Sequence, residues 1–312
     1  MMKGKDLLSI HDLSIGEVAM ILEKTKKLKK MQKEGVPHRL LEGKTLGMIF
    51  HKASTRTRVS FEVGFAQLGG QALYLDNAST QMGRGEPIQD TARVLARYLD
   101  GIMIRTFAQE TVEDLAKYAD VPVINGLTDT AHPCQALADI FTVMENFGDL
   151  KGRKLTYVGD GNNVANSLMY ACAKSGMDIT LSSPKGFEVD EKIAATARKD
   201  ADVTGSKVIL EADPFKAVQG ADVIYTDVWA SMGEEKELEH RKAIFKDYQV
   251  NDNLVNSASK DVVVMHCLPA HRGEEITDSV IEGAHSVIFD EAENRLHVQK
   301  AIMALLMSDQ DF

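Results

Sequence analysis

Short apolar or β-branched runs alternate with longer stretches of helical periodicity along nearly the whole chain, and this alternation most constrains what it can fold into. It is the mark of βα units, which assemble into parallel sheets flanked by helices. In the first half the strands predicted are Thr45–His51, Ala72–Leu75, Gly101–Thr106 and Pro122–Asn125, separated by helices at Thr55–Leu68, Ile88–Leu99 and Thr111–Ala119. In the second half they are Lys154–Val158, Asp178–Leu181, Lys207–Leu210, Ala221–Thr226, Val262–His266 and Val287–Phe289. The fold class expected is therefore α/β, with two doubly wound domains that each carry a central parallel sheet. A chain of 312 residues suits two domains. A long helical pattern from His132 ends at Phe147-Gly148, which sets the expected domains at 1–148 and 149–291, with the terminal helical segment 292–312 returning to the first.

Charge narrows the partners. With 36 basic and 46 acidic side chains the formal charge is −10, which disfavours a polyanion such as nucleic acid or an acidic membrane surface. An anionic substrate would need basic groups gathered locally. The lysine-rich stretch Glu23–Lys33 reads as a solvated helix face with Ile21, Leu22 and Leu28 turned inward, since no aromatic residues interleave with it. Three cysteines, Cys134, Cys172 and Cys267, have no CxxC spacing, so a disulfide framework or zinc knuckle is not indicated and a reducing cytoplasm is the expected compartment. The first residues lack the apolar core of a signal peptide, and no run approaches a membrane span.

Five stretches carry chemistry. Ser54-Thr-Arg-Thr-Arg58 follows a strand and opens a helix, so hydroxyls, cations and free first-turn N–H groups converge where an anionic oxygen cluster could sit. The plainer alternative is an N-cap with two surface arginines. His132-Pro-Cys-Gln135 opens the long helix, and its imidazole and amide could polarise a carbonyl oxygen, although a histidine before proline is often only structural. His266-Cys-Leu-Pro269 ends a buried-looking strand and places a thiol at the carboxyl edge of a parallel sheet, where doubly wound proteins bind ligands. The turn Gly159-Asp-Gly-Asn-Asn-Val164 has the look of a dinucleotide fingerprint but lacks the third glycine, and the next strand lacks the ribose-binding acid. No cofactor is expected, and His132, His266 and Cys267 lack metal-ligand spacing. Finally, Asp227 ends a strand and is followed by Ser231-Met232-Gly233, a carboxylate and small loop suited to a substrate ammonium.

With these stretches together the chain resembles the aspartate/ornithine carbamoyltransferase family over essentially its whole length, because S-T-R-T-R, H-P-C-Q and H-C-L-P occur in the family's order and spacing. Asp227, Ser231-Met232-Gly233 and Cys267 resemble its ornithine-using branch. The resemblance implies transfer of a carbamoyl group from carbamoyl phosphate to the side-chain amine of L-ornithine, giving L-citrulline and phosphate, in arginine biosynthesis or, reversed, catabolism. It implies that Ser54, Thr55, Arg56 and Thr57 hold the phosphate with Arg105 assisting, and that His132, Gln135 and Arg295 orient and polarise the carbamoyl group. Asn163, Asp227, Ser231 and Met232 match ornithine-binding positions. Cys267 and Leu268 lie beside the reacting amine and at the carbamoyl phosphate, which makes Arg105, His132, Asp227, Cys267 and Arg295 the implied catalytic set. Gln81 matches a position that reaches into a neighbouring subunit, so a homotrimer, or a multiple of it, is implied. A diamine acceptor such as putrescine is the near competitor, but it has no α-carboxylate or α-ammonium to recognise.

Overall fold

The computed structural model describes residues 2–230 and 237–312, the side chain of Leu238 excepted. Its chain divides into two compact units, Met1–Leu137 with Arg295–Phe312, and Ala138–Asn294.

In the first unit, strands β1 (Thr45–Phe50), β2 (Gln71–Asp76), β3 (Gly101–Arg105) and β4 (Val123–Leu127) form one sheet in the order β2-β1-β3-β4, every pair parallel. Helices α1 (Ile15–Lys33), α2 (Thr55–Gln67), α3 (Ile88–Leu95) and α4 (Gln109–Tyr118) belong to this unit. All five residues of β3 are buried, as a parallel strand covered on both faces requires. Ile49, Ile102, Ile104, Val123 and the helical residues Ala92, Val112 and Leu115 form one apolar cluster. The edge strand β2 is different, because most of its residues are exposed.

The second unit has strands β5 (Lys154–Val158), β6 (Asp178–Ser182), β7 (Val208–Leu210), β8 (Val223–Thr226) and β9 (Val263–His266) in the order β7-β6-β5-β8-β9, again all parallel. Helix α5 (Pro133–Phe147) contains the division between the units. Helices α6 (Asn163–Ser175), α7 (Glu191–Thr204), α8 (Pro214–Ala217), α9 (Leu238–Phe245), α10 (Asp252–Val255) and α11 (Asp278–Ile281) follow. The expected strand at Val287–Phe289 is corrected: Ser286 makes a single bridge to Val264, and α12 (Ile288–Met307) begins at Ile288. The apolar run is short, and the acids Asp290 and Glu291 fall in the first turn of that helix, where its dipole favours them.

Strand order fixes where loops meet. In each sheet the connections diverge on either side of one adjacent pair, and the crevice at the carboxyl ends of that pair is open. The pairs are β1 with β3, where Phe50 aligns with Arg105, and β5 with β8, where Val158 aligns with Thr226. The turn at 51–54 is thereby set beside Arg105, and the turn at 159–162 beside Asp227.

The last part of α12 packs into the first unit. A Cβ at Gly101 would lie 2.5 Å from Met307 Sδ, so the end of α12 passes close to the start of β3. Lys300 is fully buried and its Nζ meets Gln32 Oε1 at 3.0 Å, Gln67 Oε1 at 2.9 Å and His38 Nε2 at 2.6 Å. His38 Nδ1 lies 2.7 Å from Val36 O and so carries the ring proton, which leaves Nε2 to accept from the ammonium. No carboxylate compensates this charge among these contacts, and burial lowers the Lys300 pKa to about 8 from 10.5.

The unfolded chain therefore binds the Lys300 proton more tightly than the folded one. Its destabilising contribution is complete below about pH 8 and relieved as pH rises towards 10.5. Urea unfolding should show wild-type stability rising relative to that of Lys300→Met between pH 7.5 and 9.5, by at most about 1.4 kcal/mol per pH unit. A constant gap would contradict this placement of the charge.

Candidate active site

The first unit's polar cluster starts where β1 ends. His51 N donates to Arg105 O at 2.8 Å, tying the turn to the end of β3, and His51 Nδ1 lies 2.8 Å from Thr106 Oγ1. Ser54 is extended and caps α2, its Oγ accepting from Thr57 N at 3.2 Å. Thr57 is buried, and its Oγ1 accepts from Ser54 Oγ at 3.0 Å and from Arg295 Nη2, on α12, at 3.0 Å. Thr55 is exposed and Arg56 half-buried on the first turn, which carries no acid to oppose an anion. Arg58 is committed elsewhere, stacked 4.0 Å above Tyr74 and paired with Glu62. Lys52 sits over the Phe107 ring and pairs with Asp129.

Beyond β4, Thr128 N donates to Ala131 O at 2.9 Å and Ala131 N to Thr128 Oγ1 at 3.0 Å, closing a tight turn that delivers His132 to the start of α5. His132, Gln135, Arg105 and Arg295 are all buried. Burial first, then the positive charges of Arg295 and Arg105, hold the His132 pKa well below 6.5, so the imidazole is neutral. Cys134 is inert here: its Sγ lies 3.6 Å from Asn125 O and burial pushes its pKa up to about 12. Gln81 is exposed on a separate loop, at the head of the short 3-10 turn Met82–Arg84.

In the second unit Asp227, directly after β8, is 6% exposed. Its Oδ1 accepts from Val228 N at 2.8 Å and from Cys267 Sγ at 3.0 Å, and its Oδ2 accepts from Asn162 Nδ2 at 2.7 Å. Asn163 opens α6 and is half-buried, whereas the neighbouring Asn162 is the residue bonded to the aspartate. Burial, followed by the Asp227 carboxylate, pushes the Cys267 thiol well above its usual range, so it is a neutral donor. Leu268 has φ 57°, unusual for a branched side chain, and precedes a cis peptide to Pro269. Its N–H donates to His266 Nδ1 at 2.9 Å. Ser231 and Met232 lie outside the described residues.

Several functional-looking groups escaped the sequence reading. His266 Nε2, which must carry the ring proton because Nδ1 accepts, meets Glu275 Oε1 at 3.0 Å, and that oxygen also accepts from His271 N at 2.6 Å. Both His266 and Glu275 are fully buried. The stretch His271-Arg272-Gly273 is thus a brace: Arg272 pairs with Asp278 and Glu282, and Gly273 supplies a left-handed turn. Below it, Glu291 accepts from Tyr225 OH at 3.1 Å and from His266 N at 2.8 Å, and shares a hydrogen bond with Asp139. Burial and that second carboxyl raise the Glu291 pKa well above 4.5, so the pair retains a proton. The only sequence signal was an acid one helical turn before Arg295.

Asp227, His266 and Cys267 offer ligand atoms within 4.8 Å of one another. The thiol proton, the His266 Nδ1 lone pair and the carboxylate are each used in hydrogen bonds. Gly161 is also accounted for without a nucleotide, since a Cβ there would lie 2.4 Å from Val189 N.

Residues 5–145 match the family model "Aspartate/ornithine carbamoyltransferase, carbamoyl-P binding domain", and residues 151–306 match "Aspartate/ornithine carbamoyltransferase, Asp/Orn binding domain". The chain is 60% identical over 306 residues to a Pyrococcus abyssi protein named ornithine carbamoyltransferase, covering 98% of this chain and 96% of that one. It is 59% identical over 309 residues to a Pyrococcus furiosus protein named as the anabolic form, covering 99% and 98%. The solved structure of ornithine carbamoyltransferase from Pyrococcus furiosus superposes with a TM-score of 0.96 at 58% identity, over 99% of each chain. That of Giardia lamblia ornithine transcarbamoylase gives 0.89 at 35%, also over 99% of each.

A neutral, hydrogen-bonded Cys267 should react slowly with alkylating reagents. At pH 7.5, intact-mass measurement of native protein with iodoacetamide should show labelling at least about tenfold slower than that of an unperturbed thiol. Labelling of Cys267 at the free-thiol rate would refute the protonated assignment.

Proposed function

This chain belongs to the aspartate/ornithine carbamoyltransferase family, and from that premise we propose that it transfers the carbamoyl group of carbamoyl phosphate to the side-chain amine of L-ornithine, forming L-citrulline and phosphate in amino-acid biosynthesis. The observation that carries the reading is the fastening of Arg295 to Thr57 Oγ1 at 3.0 Å, which joins a guanidinium to the capped first turn of α2. Burial, together with the same guanidinium and Arg105, keeps His132 neutral. Such a cluster suits an anionic phosphate together with a carbonyl oxygen.

In this reading Ser54, Thr55, Arg56, Thr57 and Arg105 bind the phosphate. His132, Gln135 and Arg295 donate to the carbamoyl oxygen and stabilise the oxyanion that forms when nitrogen attacks its carbon. Cys267 and Leu268 complete the carbamoyl phosphate site at the end of β9. Asn163, Asp227, Ser231 and Met232 hold ornithine. We assign these functions to domains 1–148 and 149–291, with 292–312 serving the first.

An alkyl ammonium with pKa near 10.4 is neutral about once in 2,500 molecules at pH 7, a cost of roughly 4.6 kcal/mol. Asp227 favours the charged form, and Cys267 already holds its proton. In our reading the nitrogen gives up two protons: the ammonium loses the first to solvent, the neutral amine then forms the N–C bond as the C–O bond to phosphate breaks, and the departing phosphate takes the second.

We also propose a homotrimer, or a multiple of it, in which Gln81 enters a neighbouring subunit's site. Val59 and Val63 on α2 and Leu73 and Tyr74 on edge strand β2 are 51%, 40%, 39% and 37% exposed, an apolar face beside an unpaired strand edge. Among the described residues no helix is long and apolar enough to cross a membrane, and we place the reaction in the cytoplasm.

Purified protein given carbamoyl phosphate and ornithine should form citrulline, with putrescine a far poorer acceptor; absence of a ureido product would end the reading. Arg56→Ala should lower kcat/KM for carbamoyl phosphate roughly a hundredfold. Light scattering should give a multiple of three 34.3 kDa chains, and Val63→Asp should dissociate them. A wild-type monomer would remove the trimer proposal alone.

A further inference from the structure

Asn162 lies one residue before the asparagine that matches the family's ornithine position, and its side chain makes two kinds of bond at once. Its Oδ1 accepts from Val164 N at 2.9 Å, Ala165 N at 3.1 Å and Tyr157 OH at 3.4 Å. Three donors on one atom fix the orientation of the amide, because a flipped side chain would present N–H groups to N–H groups. The amide nitrogen must therefore face the other way, where it donates to Asp227 Oδ2 at 2.7 Å.

The carboxylate it meets is equally determined. Val228 N and Cys267 Sγ occupy Oδ1, so among the described residues three donors from three segments take three of the roughly four acceptor directions of the group. Among the described residues the direction left open is on Oδ2, and the Asn162 bond determines where it points. Without that bond the carboxylate could rotate about its own side chain and offer a different lone pair.

We propose that Asn162 is a positioning residue for ornithine: it uses the rigid N-terminus of α6 to aim the remaining acceptor of Asp227 at the substrate ammonium. The inference rests on the proposed reaction and deepens it. Asn162 acts through Asp227 and touches no reacting atom. Serine and aspartate are both good N-caps, so helix capping and Asp227 aiming are separable by substitution. Asn162→Ser keeps a cap acceptor and removes the amide donor. Asn162→Asp keeps the cap and sets a carboxylate against a carboxylate.

Steady-state kinetics of wild type, Asn162→Ser and Asn162→Asp, with the melting temperature of each, test the proposal. The expected result is a fall in kcat/KM for ornithine of roughly tenfold for the serine variant, the loss of one hydrogen bond to a charged group, and roughly a hundredfold or more for the aspartate variant. KM for carbamoyl phosphate should stay within about twofold, and melting temperatures should stay close to wild type, reporting intact folding. Two capped, folded variants with wild-type ornithine kinetics would overturn the proposal, because capping would then be the whole role of Asn162. Equal losses for both substrates would overturn it too, as general damage. An inactive wild type would instead remove the proposed reaction itself, so the two failures are distinguishable.

Discussion

A parallel strand buried on both faces can present polar chemistry only at its ends, and this constraint places the chemistry in both units. β3 is wholly buried along its length yet finishes on Arg105, and β8 is wholly buried yet hands directly to Asp227. Which ends become neighbours follows from strand order rather than from sequence proximity: β1 lies next to β3, and β5 next to β8, with the outward connections diverging at each pair. Ser54 therefore belongs with Arg105, 51 positions away by numbering, and Asn162 with Asp227 across three intervening strands. The helices add to this arrangement by beginning at those ends, so that α2 and α6 each bring a capped N-terminus to a sheet crevice.

Desolvation then sets the protonation states. His132 is neutral because burial and two guanidiniums both oppose a further positive charge. Cys267 keeps its proton because burial and a bonded carboxylate both oppose a negative one. Asp139 and Glu291 retain a proton between them for the same reason, and Glu291 uses its oxygens to hold the backbone of His266 and the hydroxyl of Tyr225. The end of β9 is fixed twice over, from beneath by Glu291 and from the side by Glu275 through the imidazole of His266. That double support accounts for a leucine held at φ 57° immediately after the thiol.

Much of this was legible in the sequence because the chemistry sits in contiguous stretches at strand ends. The strands and both sheets were readable from apolar runs, and Ser54–Thr57, His132 and Asp227 from motifs that begin where those runs stop. Val287–Phe289 misled because three apolar residues look alike at the start of a buried helix and in a short strand. Asn162 and Asn163 are adjacent and chemically identical, so only the register of α6 decides which one caps and which one opens the helix. Glu275 and Glu291 were invisible as partners of His266 because a buried acid is recognisable only once the fold shows what surrounds it. The glycines of the 159–164 turn resemble a nucleotide fingerprint that the missing third glycine already argued against, and Gly161 serves close contact with the backbone at Val189.

The hydrogen bonds around Asp227 also constrain when the amine can lose its proton. Among the described residues the Asp227 carboxylate accepts from Asn162, Val228 and Cys267, and in the proposed function the substrate ammonium is a further donor to it. Such a site binds the unreactive form of the substrate, so deprotonation works against binding rather than with it. The protonated thiol offers no relief, because it would first have to lose its own proton beside a negative charge. In the proposed reaction the first proton is therefore lost to solvent before nitrogen attacks, and the departing phosphate takes only the second, as the C–O bond breaks. On that assignment ornithine is held mostly as the unreactive ammonium, and the cost of its first proton loss is met before the N–C bond forms.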